Sequence, residues 1–346
     1  MRKYLPYILC MSLVGCSAVS TETSVPINVV TSTASASDTA SSTETIDITD
    51  SAIESDSVSS ESTSESIEET TEKTSYTGSL EYELVWSDEF DGDSLNPDNW
   101  VYEEHDSGWV NNELQTYVSS ADNIFVENGD LVIQPLKETD ENGNDIYTSG
   151  RINTYQKASF LYGKVEARIK VPTGQGYLPA FWMMPKLATH YGNWPKSGEI
   201  DIMEILGSDT STTYGTIHYG NSHKQNQGSL TLDSDTQDFA EDYHIFTLEW
   251  EPGKITWYVD NIEMYTTDDW YCKSEGGLLT AYPAPFDQEF YIILNVAVGG
   301  NWPGSPDDTT PFDSDAQMRV DYVRVYQRPW YDTDVTAPVD YDGVVG

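Results

Sequence analysis

Short runs in which apolar and polar residues alternate, separated by Gly, Pro, Asn and Asp, fill the chain from about residue 80 to 327. Such alternation predicts β-strands that have one buried and one exposed face. The clearest pair consists of the runs 244–250 and 255–259, which are joined by Glu251-Pro252-Gly253-Lys254. Because Pro and Gly suit the positions of a tight turn, these two runs predict a β-hairpin.

The remaining runs extend this pattern through the rest of the region. They lie at 123–127, 131–135, 159–171, 214–219, 289–298 and 318–326. No long amphipathic helix pattern separates them, so the region predicts one all-β domain, an antiparallel β-sandwich of jelly-roll type. The free outer face of such a sheet can curve into a cleft.

The stretch 198–204, Gly-Glu-Ile-Asp-Ile-Met-Glu, is the most informative of the predicted strands. In a strand, Glu199 and Asp201 share one face while the two isoleucines pack on the other. Strict alternation would place Glu204 on the apolar face. We therefore predict a β-bulge, with Met203 as the extra residue, that returns Glu204 to the acidic face.

Three carboxylates on one face of a strand indicate acid–base chemistry. With the bulge, Glu199 and Glu204 span about 13 Å of strand, and side chains that lean inward bring their carboxylates to about 5 Å apart. A retaining glycosidase has its two carboxyl groups about 5 to 5.5 Å apart. Crowding of the three groups keeps at least one protonated near neutral pH.

Two other interpretations of the acidic row are a solvated strand and a calcium site. The neighbouring stretches Phe181-Trp182, Trp194-Pro195 and Ile217-His218-Tyr219 surround the row with aromatic and polar groups. A solvated acidic strand does not need such surroundings, so the neighbourhood favours a reaction site.

The composition of the chain argues against two classes of binding partner. A formal net charge of −41 argues against nucleic acid and against electrostatic adhesion to anionic lipid. The chain has 10 Trp and 23 Tyr, side chains that fill sandwich cores and also stack on sugar rings. Nothing in the sequence indicates an oligomer, and we expect a monomer.

The amino terminus reads as an export signal. Met1-Arg2-Lys3 is basic, the apolar run 4–15 is too short to span a bilayer as an ordinary helix, and Leu13-Val14-Gly15-Cys16 resembles the bacterial lipobox. We predict that residues 1–15 form a lipoprotein signal peptide and that Cys16 carries the lipid. The protein would be exported and anchored at the bacterial cell surface or envelope, with the lipid as its one membrane contact.

The segments that flank the domain have little apolar content. Residues 16–79 begin with the lipidated cysteine and continue as an acidic Ser/Thr-rich linker, which we expect to be disordered. The catalytic domain covers 80–328, and 329–346 form an irregular tail. Once Cys10 is removed with the signal and Cys16 is lipidated, Cys272 remains as a free structural thiol.

The acidic stretch and several others together resemble glycoside hydrolase family 16. Glu-Ile-Asp-Ile-Met-Glu matches the family signature in the bulged form of its laminarinase-like members. The other matching stretches are Trp86-Ser87-Asp88-Glu89-Phe90-Asp91-Gly92, Asn112-Glu113-Leu114-Gln115, Ser149-Gly150-Arg151, residues 179–185, residues 295–304 and residues 320–326. They are spread over about residues 80–328, essentially the whole predicted domain.

This resemblance implies endo-hydrolysis of a β-glucan by double displacement. It assigns Glu199 as the nucleophile, Asp201 as its assisting carboxylate and Glu204 as the general acid/base. It also implies seven substrate-binding residues: Asn112, Arg151, Trp182, Trp194, His218, Asn295 and Trp302, with His218 contacting the acid/base region. No cofactor is implied for catalysis, but a structural calcium ion is, at positions Glu89, Gly129 and Asp321.

The expected substrate is a laminarin-type 1,3-β-glucan. A mixed-linkage 1,3-1,4-β-glucanase is the first alternative, although lichenases of this family typically lack the extra residue that Met203 represents. Agarases and carrageenases share the bulge, and the net charge of −41 disfavours a sulfated, polyanionic substrate. Non-catalytic glucan-binding relatives typically lose the glutamates that this sequence retains.

Overall fold

The computed structural model describes residues 30–34, 76–233, 237–273 and 277–338. Its strands are β1 (Val30–Ala34), β2 (Glu83–Asp88), β3 (Val101–Tyr102), β4 (Gln115–Tyr117), β5 (Ile124–Glu127), β6 (Asp130–Ile133), β7 (Leu136–Thr139), β8 (Asp145–Ser149), β9 (Arg151–Asn153), β10 (Gly163–Lys170), β11 (Tyr177–Pro185), β12 (Glu199–Leu206), β13 (Asp209–Tyr219), β14 (Lys224–Thr231), β15 (His244–Glu251), β16 (Lys254–Val259), β17 (Ile262–Thr267), β18 (Phe290–Val298) and β19 (Met318–Gln327). Within the described residues the helical structure is one 3₁₀ turn, Ser314–Ala316.

Two large antiparallel sheets form the sandwich. The first has the order β1-β14-β13-β12-β11-β18-β9-β3, and the second has the order β17-β16-β15-β10-β19-β6-β5, with β2 also paired to β19. A small third sheet, β4-β8-β7, contains a parallel pair, β4 with β8. The predicted all-β, antiparallel sandwich is confirmed.

Strand positions follow the predicted runs closely. The hairpin of β15 and β16 closes at Glu251 opposite Lys254, as the Pro-Gly turn predicts. Strands of polar composition were not predicted, because their apolar residues do not alternate regularly. An example is β14, Lys-Gln-Asn-Gln-Gly-Ser-Leu-Thr. β14 is nevertheless held in place, since it pairs with β13 over eight residues.

The core lies between the two large sheets and consists of one continuous cluster. Phe181, Ile200 and Ile217 enter it from the first sheet, and Leu248 and Trp257 enter it from the second, all fully buried. The sheets approach closely at Gly215 of β13, where a Cβ would lie 2.5 Å from Cδ1 of Trp257. A glycine is therefore required at that position for Trp257 to pack where it does.

Parts of the predicted termini can be placed. Residues 30–34, within the segment for which composition predicts no ordered structure, pair with β14 from Val30 opposite Thr231 to Ala34 opposite Gln227. The signal peptide, Cys16 and linker residues 35–75 lie outside the described residues. In the tail, 328–338 have neither helix nor strand, but the ring of Tyr331 lies 5.5 Å from that of Tyr162.

One further sequence expectation concerns a reactive group outside the cleft. Cys272 is a buried free thiol, as predicted, and burial raises the pKa of that thiol, which makes it unreactive. In the described part of the chain, no helix has the length and apolar content that crossing a membrane requires.

Candidate active site

The acidic row lies on β12 with the predicted bulge in its middle. Ile200, Ile202, Met203 and Ile205 are buried in the core, so two consecutive residues face inward and the alternation resumes one position later. Along β11, Asp201 pairs with Trp182 and Met203 with Phe181, which leaves Ile202 without a partner.

The bulge is confirmed. On the β13 ladder both Ile202 and the predicted Met203 lack a partner, whereas on the β11 ladder the unpaired residue is Ile202 alone. The sequence pattern could not distinguish the two, because both side chains are apolar and both are buried in the core. The effect on Glu204 is the predicted one. It lines the cleft together with Glu199 and Asp201.

The cleft crosses the strands of the first sheet and has the acidic row at its centre. One arm is a cavity of about 520 Å³ over β13 and β14. The other is a narrower space of about 90 Å³ over β11, β18 and β9. Glu199 and Glu204 line both cavities, so a chain lying in the cleft would pass over both carboxylates.

His218 and Trp194 hold the first half of the row. His218 lies opposite Glu199 in the register of β12 and β13, and its Nε2 is 3.1 Å from Oδ2 of Asp201 and 4.0 Å from Oε1 of Glu199. The indole Nε1 of Trp194 donates a hydrogen bond of 2.5 Å to Oε2 of Glu199. The short contacts of His218 are therefore with Asp201 and Glu199 and not with Glu204, the predicted acid/base.

Burial raises the pKa values of all three carboxyl groups, and repulsion by neighbouring carboxylates adds to the rise for Glu199 and Glu204. Burial, and then the charge of Asp201, raise the pKa of Glu199 to about 8, while His218 and the Trp194 hydrogen bond oppose this rise. Burial raises the pKa of Asp201, and burial together with Asp201 raises the pKa of Glu204 well above its usual range. At neutral pH the row therefore carries fewer than three negative charges.

Glu199 and Glu204 differ in how well an anion is stabilised. Glu199 has an indole N–H donor on one oxygen and an imidazole near the other. Glu204, by contrast, has no side-chain hydrogen bond or ion pair in the described part of the chain. As the pH rises, the first carboxyl group of the row to ionise is therefore expected to be Glu199 or Asp201. Glu204 is expected to keep its proton.

On the narrower arm, Arg151 of β9 is stacked between two indoles. Its guanidinium carbon lies 5.2 Å from the ring centre of Trp109 and 4.7 Å from that of Trp182. Its Nε forms an ion pair of 2.9 Å with Oε2 of Glu103, an oxygen that also accepts a 2.7 Å hydrogen bond from Asn153. This arrangement fixes the plane of the guanidinium beside the acidic row.

Asn295 of β18 continues this wall. Its Oδ1 accepts a 2.7 Å hydrogen bond from Nε1 of Trp182, and its Nδ2 donates one of 3.1 Å to the hydroxyl of Tyr117. Arg151, Trp182 and Asn295, predicted from three separate stretches, thus meet at one end of the cleft. They line the same cavity as the acidic row.

Comparison with known proteins identifies the family of this chain. The model of the family described as Glycosyl hydrolases family 16 matches residues 111–324. The chain belongs to glycosyl hydrolase family 16. A second model, described as Beta-glucan synthesis-associated protein SKN1/KRE6/Sbg1, matches residues 2–202.

Individual relatives of this family 16 hydrolase are similarly informative. It is 43% identical over 267 residues to Glucan endo-1,3-beta-glucosidase A1 of Niallia circulans, covering 70% of this chain and 38% of that protein. It is 41% identical over 259 residues to Beta-glucanase of Rhodothermus marinus, covering 71% of this chain and 85% of that one. The laminarinase catalytic domain of Thermotoga maritima MSB8 superposes with a TM-score of 0.61 at 42% identity, covering 71% of this chain and 98% of that domain.

The other predicted sugar contacts of the family 16 chain lie at the wider arm. Trp194 and Trp302 are exposed over 46% and 43% of their surface, unusually large fractions for tryptophan. The ring of Trp302 is supported edge-on by Tyr214, 5.2 Å away. Asn112 donates a 2.8 Å hydrogen bond to Oδ1 of Asn301, and it is Asn301 that lines the cavity.

Several residues of the cleft were not predicted from the sequence. They are Glu103, Trp109, Glu113, Tyr214, His223, Gln225 and Gln227. Glu113 stands inside the matching stretch 112–115 and could have been selected there. Tyr214 begins the predicted run 214–219, and the others lie in short, polar or loop segments where periodicity carries no signal.

The expected calcium positions are described, and two of them are engaged by cations. Both carboxylate oxygens of Glu89 bind Arg324, at 3.0 and 2.7 Å, and Oδ2 of Asp321 binds Arg168 at 2.8 Å. A guanidinium therefore neutralises each of these two carboxylates, whereas the resemblance implies that main-chain carbonyls and one Asp carboxylate hold the calcium ion. Gly129 lies in the turn between β5 and β6, and the calcium site stays a prediction.

Proposed function

We propose that this chain is a retaining endo-1,3-β-glucanase that cleaves laminarin-type glucans within the chain. The observation that carries the proposal is the position of Glu199 and Glu204, side by side on one face of β12 where the two arms of the cleft meet. A cleft with a cavity on each side of the two glutamates suits an internal stretch of a polysaccharide. Exposed tryptophans at its wider arm offer faces for sugar rings.

In the first step, Glu199 attacks the anomeric carbon of the glucose on one side of the scissile bond. The carbon–oxygen bond to the leaving chain breaks as Glu204 gives its proton to that oxygen. The products of this step are a glycosyl ester on Glu199, an ionised Glu204 and a free glucan hydroxyl. In the second step, Glu204 takes a proton from water, the water oxygen attacks the anomeric carbon, and Glu199 leaves as a carboxylate.

The electrostatic asymmetry of the row supports these roles. A nucleophile must be ionised, and the Trp194 N–H and His218 favour the anion of Glu199. An acid must hold a proton at the working pH, and burial beside two carboxylates gives Glu204 a raised pKa. Oδ2 of Asp201 lies 3.1 Å from Nε2 of His218. In this proposal Asp201 orients Glu199 by sharing a proton with it.

The glucan specificity is supported by relatives and not by a contact within the cleft. Proteins at about 40% identity carry the names Glucan endo-1,3-beta-glucosidase and Beta-glucanase. A structural relative at 37% identity and TM-score 0.60 is titled a non-specific endo-beta-1,3(4)-glucanase. Mixed-linkage cleavage is therefore the second candidate, and the bulge favours the 1,3-specific subgroup.

Two other relatives define what the substrate test must distinguish. One, 38% identical over 255 residues, is named Keratan-sulfate endo-1,4-beta-galactosidase, and another, 30% identical over 315 residues, is named Beta-1,3-glucan-binding protein. The three carboxylates of the row and a net charge of −41 oppose a sulfated chain. Retention of both glutamates opposes a role in binding alone.

The proposal extends to location. The basic start, the apolar run and the lipobox-like Leu13-Val14-Gly15-Cys16 support export and a lipid anchor on Cys16, with the protein acting as a monomer at the bacterial surface or envelope. Metabolic labelling of the full chain with a palmitate analogue, with Cys16→Ser as the control, tests the anchor. Label retained by Cys16→Ser would contradict it.

A substrate panel tests the activity. Laminarin, lichenan, agarose and carrageenan are each incubated with the purified chain, and product lengths are followed with time. We expect laminarin to be cleaved fastest, with products of several intermediate lengths at early times. Cleavage of lichenan at a higher kcat/KM would establish the mixed-linkage alternative, and cleavage of neither glucan would overturn the proposal.

A further inference from the structure

A second histidine, His223, stands behind His218 at the wider arm of the cleft. It occupies the turn between β13 and β14 and lines the same cavity as Glu199, Glu204 and Trp194. We propose that His223 is a positioning residue that holds His218 against Asp201 and supports Trp194 against Glu199. The kinetic part of this inference rests on the proposed glucanase function, and the structural part does not.

The hydrogen bond between the two imidazoles supports the first part of the proposal, that His223 holds His218 against Asp201. Nε2 of His223 lies 2.7 Å from Nδ1 of His218, while Nε2 of His218 lies 3.1 Å from Oδ2 of Asp201. The three side chains thus form a continuous chain from the acidic row to the turn. Nδ1 of His218 bonds His223 while Nε2 faces the carboxylates of Asp201 and Glu199, which favours a single orientation of the ring.

The bond between the two rings can form in both charge states of His218. When His218 is neutral with its proton on Nε2, that nitrogen faces Oδ2 of Asp201 at 3.1 Å, and Nδ1 accepts the N–H of His223. When His218 is protonated, both of its nitrogens donate and Nε2 of a neutral His223 accepts. Desolvation of the ring, together with the neighbouring His218, lowers the pKa of His223 and so favours the neutral form that the second arrangement requires.

The ring contact of His223 with Trp194 supports the second part of the proposal, that His223 supports Trp194 against Glu199. The two ring centres are 4.9 Å apart at an angle of 44°, and the centres of the two imidazoles are also 4.9 Å apart. Trp194 is exposed over 46% of its surface, so few other groups fix its indole. His223 therefore contacts both side chains that interact with Glu199, without contacting the carboxylate.

The charged groups near this pair come from several strands. From β12 they are Glu199, Asp201 and Glu204, from β9 Arg151, and from β14 the adjoining Lys224. A change in how His218 is held should therefore appear in the pH dependence of the reaction.

Two substitutions separate the hydrogen bond from the ring contact. His223→Phe keeps an aromatic ring beside Trp194 but removes the nitrogen that bonds His218, and His223→Gln keeps an amide that donates or accepts. Since His223 lies in an exposed turn, we expect both variants to fold, as thermal unfolding will verify. His190→Gln, in a different loop, serves as the matched control.

We expect His223→Phe to lower kcat on laminarin about tenfold with KM changed less than about twofold, and to shift the pH profile of kcat/KM, because a small misplacement at the reacting groups is costly. His223→Gln should stay within about threefold of the wild type. Equal losses in the two variants, or no loss in His223→Phe, would overturn the proposal.

A measurement without substrate keeps the two proposals separate. In ¹⁵N-histidine-labelled full chain, at a pH where His218 carries both ring protons, we expect the Nδ1 proton of His218 that bonds His223 to appear far downfield, to persist in His223→Gln and His190→Gln, and to disappear in His223→Phe. Persistence in His223→Phe would overturn the positioning role. If the wild type cleaves no glucan but shows this signal, the proposed function fails and the histidine chain stands.

Discussion

The indole Nε1 of Trp257 donates a 2.8 Å hydrogen bond to the main-chain carbonyl of Asp201, from the opposite sheet and through the core. Asp201 is the residue at which the bulge of β12 begins. Trp257 is fully buried on β16, and Gly215 leaves room for its ring. The second sheet therefore fixes the backbone from which the Asp201 carboxylate of the acidic row projects.

This contact predicts that Trp257→Phe affects activity as well as stability. The substitution leaves the Asp201 carbonyl buried without its donor, which should lower the free energy of unfolding by about 1–3 kcal/mol. It should also lower kcat on laminarin, because the bulge loses its support. Denaturant unfolding and steady-state kinetics measure the two effects.

The control for that prediction is Trp250→Phe, which removes a similar buried bond, from Nε1 of Trp250 to the carbonyl of Phe286. We expect a comparable loss of stability with kcat unchanged. If both variants lowered kcat equally, the effect of Trp257→Phe would be a general loss of packing and not support of the bulge.

Replacement of either glutamate should abolish hydrolysis and leave the fold intact. Glu204→Ala removes the proton donor, and we expect a loss of at least about 10²- to 10⁴-fold in kcat. Glu199→Ala should be at least as inactive, since no covalent intermediate forms. Circular dichroism and thermal unfolding serve as the folding controls.

Sodium azide distinguishes the two roles. In Glu199→Ala the anion fits the vacated space and attacks directly, so we expect an α-glycosyl azide. In Glu204→Ala it attacks the intermediate on Glu199 and yields a β-glycosyl azide. The opposite assignment of products would exchange the two roles, and an inverted first product from the wild type would contradict retention.

The raised pKa values predict how stability depends on pH. The pKa of Glu199 rises from its ordinary value of 4.5 to about 8 on folding, so between these values the folded chain binds more protons than the unfolded chain. The contribution of the row to the free energy of unfolding is therefore present below pH 4.5 and is lost as the pH rises through 8.

Glu199→Gln or Glu204→Gln should reduce this loss. We expect each variant to gain thermal stability over the wild type at pH 8.5 and to show little gain at pH 4.5. Glu138→Gln, on the exposed face of β7, controls for the change in net charge. A gain of equal size at both pH values would show that the effect does not come from ionisation of the row.

Glu103→Gln should weaken glucan binding more than it slows the reaction. The substitution removes the ion pair that holds Arg151 between Trp109 and Trp182. We expect KM for laminarin to rise about tenfold, equivalent to about 1.4 kcal/mol, with a smaller change in kcat. Glu104→Gln, whose carboxylate bonds Ser119 beside the cleft, is the matched control and should leave KM unchanged.

The sequence by itself determined the fold class, the positions of the strands with alternating apolar residues, and the acidic row. Alternation of side chains along a strand is a local property, so the face shared by Glu199 and Asp201 and the need for a bulge before Glu204 could be predicted from seven residues. Even there the pattern failed to choose between Ile202 and Met203, because both are apolar and the choice depends on pairing with β11.

Tertiary structure decided how the row is supported. Trp257 meets Asp201 from the other sheet, Arg151 meets Trp109 and Trp182 across three segments, and His223 meets His218 across a turn. These contacts follow from the strand order β14-β13-β12-β11-β18-β9 and from the closeness of the two sheets. Periodicity encodes which face a side chain occupies, but it does not encode which distant strand or sheet lies beside that face.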